Sequence, residues 1–242
     1  MLPAPGECHL WLTPTRPPRD VRRLLAPEEA SRAAALPPGP SRDTYTASRS
    51  AQRLLAGHYS RTSPARVRID RTCHHCGAGH GRPRWDTGTA LDYSVAHTAH
   101  WILIAVVAEG LVGVDMEELP GPPPSPRLEA KSLAAPERAL LADTPPADRP
   151  AVFLRLWTRK EAATKLTGHG LATPFAGLDA TAPLLTHPRV PTPLHLRDLP
   201  LPAPRHLASL ATTHPVTRLT TARLDVLLRS DGACGAEAAG GA

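Results

Sequence analysis

Apolar and polar positions along the chain change period several times, and each change predicts an element. Trp101 to Ala108 is an unbroken apolar run and reads as a buried strand. Glu109-Gly110 turns the chain, and Leu111 to Glu117 is expected to return beside that strand as the second arm of a hairpin. In an extended backbone Val112, Val114 and Met116 face a core, while Gly113, Asp115 and Glu117 face the other way. From Val152 to Leu166 the period becomes helical. Leu154, Trp157, Glu161 and Lys165 share one face, and Gly168 and Gly170 end the helix.

The remaining elements are weaker. Cys8 to Leu12 is a short strand. Pro27, Glu28 and Glu29 start a helix that runs on through Ala30 to Leu36 and is broken by Pro37 to Pro40. Ser41 caps a second helix to about Ala56, with Gly57 as its stop. Ser132 to Leu141 is a short helix, and Pro120 to Pro126 and Pro145 to Pro150 are surface loops. His206 to Thr213 and Arg218 to Leu227 are strand candidates, and Ser230 to Ala242 reads as a disordered tail. No repeat is visible, but strands and helices recur on both sides of residue 110. The division expected is an N-terminal half, 1–108, a C-terminal half, 109–229, and the tail, 230–242.

Composition narrows the partners. A net charge of +6 predicts attraction to nucleic acid, a phosphorylated cofactor or an acidic protein. The basic residues are scattered, which argues against nucleic acid. Cys8, Cys73, Cys76 and Cys234 form no convincing disulfide framework in a chain of this length. With no basic start before an apolar run, and no run long enough to span a bilayer, a soluble cytosolic protein without membrane partners is expected.

Candidate chemistry gathers on two segments. Asp115 and Glu117 repel unless a cation or proton sits between them, and hard oxygen ligands suit Mg²⁺ on phosphate. Gly113 on the same face lets a ligand approach the backbone. Glu161 supplies a third carboxylate, and Lys165 lies one turn on to meet phosphate. Of 28 Lys+Arg only Lys131, Lys160 and Lys165 are lysine, and two of these lie in the one helix. Blander readings stand beside these. Glu161 and Lys165 also make an ordinary i,i+4 surface pair worth about 0.2–0.5 kcal/mol. Arg32, Arg42, Arg49 and Arg53 read as a solvated helix face, and His97 as a structural histidine. Cys73-x-x-Cys76 with His80 looks like half a zinc site, although its glycines favour a loop whose backbone and Arg82 face a ligand.

Taken together, Gly113-Val114-Asp115-Met116-Glu117 and Trp157-Thr158-Arg159-Lys160-Glu161-Ala162-Ala163-Thr164-Lys165 resemble the two signature motifs of phosphopantetheinyl transferases, most closely the long, Sfp-type monomeric class. Gly81-Arg82-Pro83 resembles the family's Gly-Lys-Pro segment. Ser94 to Thr98 resembles its Ser-His-Ser segment, and Leu166 to Leu171 its Gly-x-Gly-Leu continuation. The resemblance implies an α+β fold of two similar α/β halves with pseudo-twofold symmetry and coenzyme A in the cleft between them. The implied reaction moves phosphopantetheine from coenzyme A to a serine of an acidic apo acyl or peptidyl carrier protein and releases 3′,5′-ADP.

Asp115, Glu117 and Glu161 would hold Mg²⁺ or Mn²⁺. Glu161 would help deprotonate the serine, and Lys165 would assist the leaving phosphate. His97, Thr98, Arg82, Lys160, Arg32, Arg42 and Thr44 would hold the cofactor. Ala96 stands where the family has serine, which shifts that hydroxyl's role to Ser94 or Thr98, and Ala99-His100 replaces a family glycine. Two other readings compete: a basic nucleic-acid binder stabilised by zinc on Cys73, Cys76 and His80, and an inactive coenzyme A-binding homologue. The intact Asp115, Glu117, Glu161 and Lys165 argue against the second.

Overall fold

The chain alternates helical and extended segments, and the computed structural model describes residues 1–16, 21–73, 76–119, 124–170 and 173–230. β1 (Glu7–Pro14) leads into helices α1 (Pro27–Ala35) and α2 (Pro40–Ser60), then the short pair β2 (Arg68–Asp70) and β3 (Arg84–Asp86). β4 (Asp92–His97), β5 (Trp101–Val107) and β6 (Val112–Glu118) follow, then α3 (Pro126–Ser132), α4 (Ala135–Asp143) and α5 (Arg149–Thr167). The chain continues as β7 (Leu184–Leu185), β8 (Leu194–Asp198), β9 (His206–Thr212), β10 (Arg218–Arg223) and α6 (Asp225–Ser230).

These elements form a mixed α+β architecture with two four-stranded sheets, ordered β10-β1-β5-β4 and β6-β9-β8-β7. β5 is interior to the first sheet and apolar on both faces. Ile102, Ile104 and Val106 pack with Leu54, Leu55 and Tyr59 of α2. Leu103, Ala105 and Val107 meet Val112, Val114 and Met116 of β6, with Leu210 of β9. The far face of the second sheet, through Leu194, Leu196 and Ala211, packs on Leu156, Ala163 and Leu166 of α5. The layers therefore run α2, first sheet, second sheet, α5.

The expected 101–117 hairpin does not form. β5 pairs with β1 and β4, whereas β6 pairs with β9, with Asp115 opposite Ser209. Both edges of β5 are already taken, and Gly110, at φ +71°, bends the chain out to the second sheet. After crossing to that sheet the chain comes back: β10 lies parallel to β1, so the first sheet draws on residues from both sides of 108.

Several boundaries also move. α2 runs through Gly57 to Ser60 and ends at Arg61 in the left-handed region. Glycine is required at 57 by packing, because a Cβ there would lie 2.6 Å from the Thr62 carbonyl oxygen. The single helix expected at 132–141 is two, α3 and α4, and α5 begins within the loop expected at 145–150. The strand expected at 218–227 gives way to α6 after Arg223. Most of the 120–126 loop and the 230–242 tail lie outside the described residues. Among the described residues no helix is long and apolar enough to cross a membrane.

Candidate active site

β6 carries the alternation that the sequence predicts. Val112, Val114 and Met116 are buried against the first sheet. The role of Gly113 differs from expectation. A Cβ at this position would lie 1.8 Å from the Ala162 carbonyl oxygen and 2.8 Å from the Leu166 nitrogen. The missing side chain admits helix α5 rather than a ligand. That close seating brings Glu161 and Lys165, one helical turn apart, beside Asp115 and Glu117 at one cleft.

Within this group Lys165 Nζ donates to Asp115 Oδ1 at 2.6 Å. Asp115 Oδ2 is buried and has no hydrogen-bond partner. A buried acceptor left without a donor is rare and points to a missing partner such as a cation. Burial, and then the charge of Asp115, push the carboxyls of Glu117 and Glu161 above the usual glutamate range. The set is hard oxygen throughout, which fits Mg²⁺ or Mn²⁺. The three carboxylates do not close to the spacing of a tight cage: among the described residues, only Cys73, Cys76 and His80 bring three ligand atoms within 4.8 Å of one another.

The cleft measures about 1420 Å³, above the roughly 300–1,000 Å³ of drug-sized pockets and suited to a long ligand. Arg32, Thr44, His97 and Thr98 line it. Burial, and then the nearby Lys165 charge, lower the His97 pKa, so its ring is neutral at ordinary pH and acts through hydrogen bonding. Tyr45, Arg49 and Arg71 line the cleft as well, beyond the residues that the motifs point to. Their signal was helical spacing: Tyr45 and Arg49 are i,i+4 on α2, and the Arg49 guanidinium stands 5.1 Å from the Tyr45 ring centroid.

Four expected contacts go elsewhere. Lys160 is 1% exposed, and its ammonium donates to the carbonyls of Ser132 at 2.6 Å and Phe175 at 2.9 Å and to Glu137. Its donors are used inside the protein, so it does not reach the cleft. Arg42 donates to the Leu36 and Ala34 carbonyls, closing the C-terminal end of α1. Ser94 Oγ accepts the Val114 N–H at 3.0 Å, so its hydroxyl is turned to β6 and away from a nucleotide.

Arg82 pairs with Asp92 and also donates to the Val112 carbonyl at 2.8 Å, while Asp92 accepts the Val112 N–H at 2.7 Å. Arg82 thus fixes the strand that carries the carboxylates and does not present its charge to phosphate. No pattern local to these residues reveals such partners, which lie up to 30 residues away.

A family model described as the 4′-phosphopantetheinyl transferase superfamily matches residues 111–217, which include β6 and α5. The 4′-phosphopantetheinyl transferase HetI of Nostoc sp. is 31% identical over 176 residues, 69% of this chain and 70% of that protein. AcpT of Salmonella typhi, another 4′-phosphopantetheinyl transferase, is 34% identical over 108 residues, 43% of this chain and 53% of its own. The 4′-phosphopantetheinyl transferase psf-1 of Bacillus pumilus is 30% identical over 94 residues, 39% of each chain. With these relatives, the chain is an enzyme of phosphoryl-group transfer. The chain belongs to the 4′-phosphopantetheinyl transferase superfamily.

Proposed function

We propose that this transferase moves the 4′-phosphopantetheine group of coenzyme A onto a serine of an apo acyl or peptidyl carrier protein, with a divalent cation held by Asp115, Glu117 and Glu161. One observation carries the reading: an unpartnered, buried Asp115 oxygen stands in a cleft with two carboxylates whose protonation burial favours, against a lysine. When bound, Mg²⁺ supplies charge neutralisation on the pyrophosphate, whose positioning dominates phosphoryl transfer.

The chain's own groups divide the remaining work. Glu161, in the cleft beside Asp115 and Glu117, accepts the serine proton, directly or through a water. The serine Oγ then forms a bond to the phosphorus that bears pantetheine. The bridging P–O bond breaks, and 3′,5′-ADP leaves with the electron pair. Lys165 meets the charge that develops on the leaving phosphate. His97, Thr98, Arg32, Arg49, Arg71 and Thr44 hold the nucleotide end across the cleft.

The layered arrangement, with a long helix outside each sheet, supports two similar halves about one cleft. The net charge of +6 supports an acidic carrier, since complementary charge speeds encounter. A monomer acting in the cytoplasm completes the reading.

Incubation with an apo carrier, coenzyme A and Mg²⁺ is expected to add one phosphopantetheine mass to the carrier, and a chelator is expected to stop it. A panel of fatty-acid, polyketide and peptide carriers that all stay apo would overturn the proposal.

A further inference from the structure

Cys73, Cys76 and His80, in the loop between β2 and β3, have no part in the transfer chemistry. They nevertheless form the tightest set of metal-type donors among the described residues. Ligand atoms of Cys73, Cys76 and His80 lie within 4.8 Å of one another, and Cys76 Sγ is 3.0 Å from His80 Nε2. Zinc bonds of about 2.3 Å to sulfur and 2.0–2.1 Å to nitrogen put tetrahedral S and N ligands about 3.6 Å apart, so a small outward shift admits the ion.

The backbone already holds this shape. Cys73 N–H donates to the Ala78 carbonyl at 2.8 Å, and Gly77 N–H donates back to the Cys73 carbonyl at 2.9 Å. Gly77 takes φ +73°, a turn that glycine makes without strain. The donor atoms of Cys73, which is buried, and of Cys76 and His80, which are exposed, come together beside this turn.

We propose that Cys73, Cys76 and His80 bind one zinc ion that orders this loop, distinct in chemistry from the cation of the acidic cleft. Thiolate and imidazole donors select zinc over magnesium, as the carboxylates do the reverse. Cys76 and His80 are exposed, and among the described residues no fourth donor joins the three. The loop has few apolar residues to bury and three glycines to order, so a metal contributes folding energy that a core cannot.

The consequence for the cleft is architectural. Gly79, His80, Gly81 and Pro83 form part of its wall, and Gly81 is pressed on Cys73, where a Cβ would lie 2.8 Å from the Cys73 Cα.

The test uses the full chain, purified under reducing conditions and analysed for metal by elemental mass spectrometry. One zinc per chain should survive dialysis, and cobalt exchanged for it should show a thiolate charge-transfer band. Cys76→Ser should lose the zinc, and with it the slow amide exchange of residues 76–83, while wild-type protein stripped of zinc should exchange as the variant does. Three results would each overturn the proposal: wild-type protein that holds no zinc when offered it with reductant, Cys76→Ser protein that keeps stoichiometric zinc, or a Cys73–Cys76 disulfide in place of metal.

Discussion

Two lysines on the same face-rich helix, Lys160 and Lys165 of α5, meet opposite surroundings. Lys160 and its partner Glu137 are 1% and 0% exposed, and Glu137 also accepts the Ala134 and Ala180 N–H groups. That pair knits α4, α5 and the turn at Phe175 into one unit, with its lone pairs and protons used. Lys165 is 31% exposed on an Asp115 that is 7% exposed, and one oxygen of that carboxylate goes without a partner. The closed pair is structural. The open one leaves valence for a ligand, and the difference separates scaffold from site on a single helix.

The comparison can be broken by mutation. Asp115→Ala is expected to lower turnover by about 10³-fold, or about 4 kcal/mol of transition-state stabilisation, while the thermal midpoint holds. Carrier mass analysis and a melting curve check both halves of that statement. Lys160→Ala is expected to destabilise the fold by about 3–5 kcal/mol, because it strands a buried Glu137 charge. Urea unfolding measures it, and Lys160→Met with Glu137→Leu should recover most of the loss.

Gly113→Ala should cost about 3 kcal/mol, at the upper end of overpacking penalties, since backbone on α5 blocks the methyl. Its activity should fall with its stability. Lys165→Ala reverses the Lys160 pattern: about 10²-fold in kcat, yet under about 1 kcal/mol in unfolding free energy for a partly exposed pair.

The smallest effect is a pH dependence. The carboxyls of Glu117 and Glu161 are raised in the folded chain, so folding takes up protons between the ordinary glutamate pKa and the raised one. Metal-free protein should therefore gain stability from these two groups as pH falls through that window. Saturating Mg²⁺ should remove the gain, because the cation holds both groups ionised. Glu161→Gln should shrink it. Melting curves with and without Mg²⁺ from pH 4 to 7 read the sign directly.

These contrasts explain what the sequence reveals. Asp115 with Glu117, and Glu161 with Lys165, sit at spacings that backbone geometry alone places on one face, so the acidic wall is legible before any fold is known. Lys160 shares the motif with Glu161 but points to α4, and only the position of Glu137, 23 residues earlier, says so. Arg82 and Arg42 look like free cations in a row of residues, yet each is bound to backbone groups that tertiary packing delivers. The strand period puts Gly113 on the correct face, but helix packing and not ligand access is why a glycine stands there. The misplaced hairpin has the same origin: strand periodicity fixes which face is buried and leaves the partner strand open.

The return of β10 to β1 sets an order on assembly. Glu7, near the start, takes a hydrogen bond from Thr220 and an ion pair from Arg218, so the opening strand keeps an unpaired edge until residues beyond 200 have emerged from the ribosome. A nascent chain must therefore carry a nearly finished second sheet before its first can close. A truncation ahead of residue 218 would leave that edge bare for pairing with other chains.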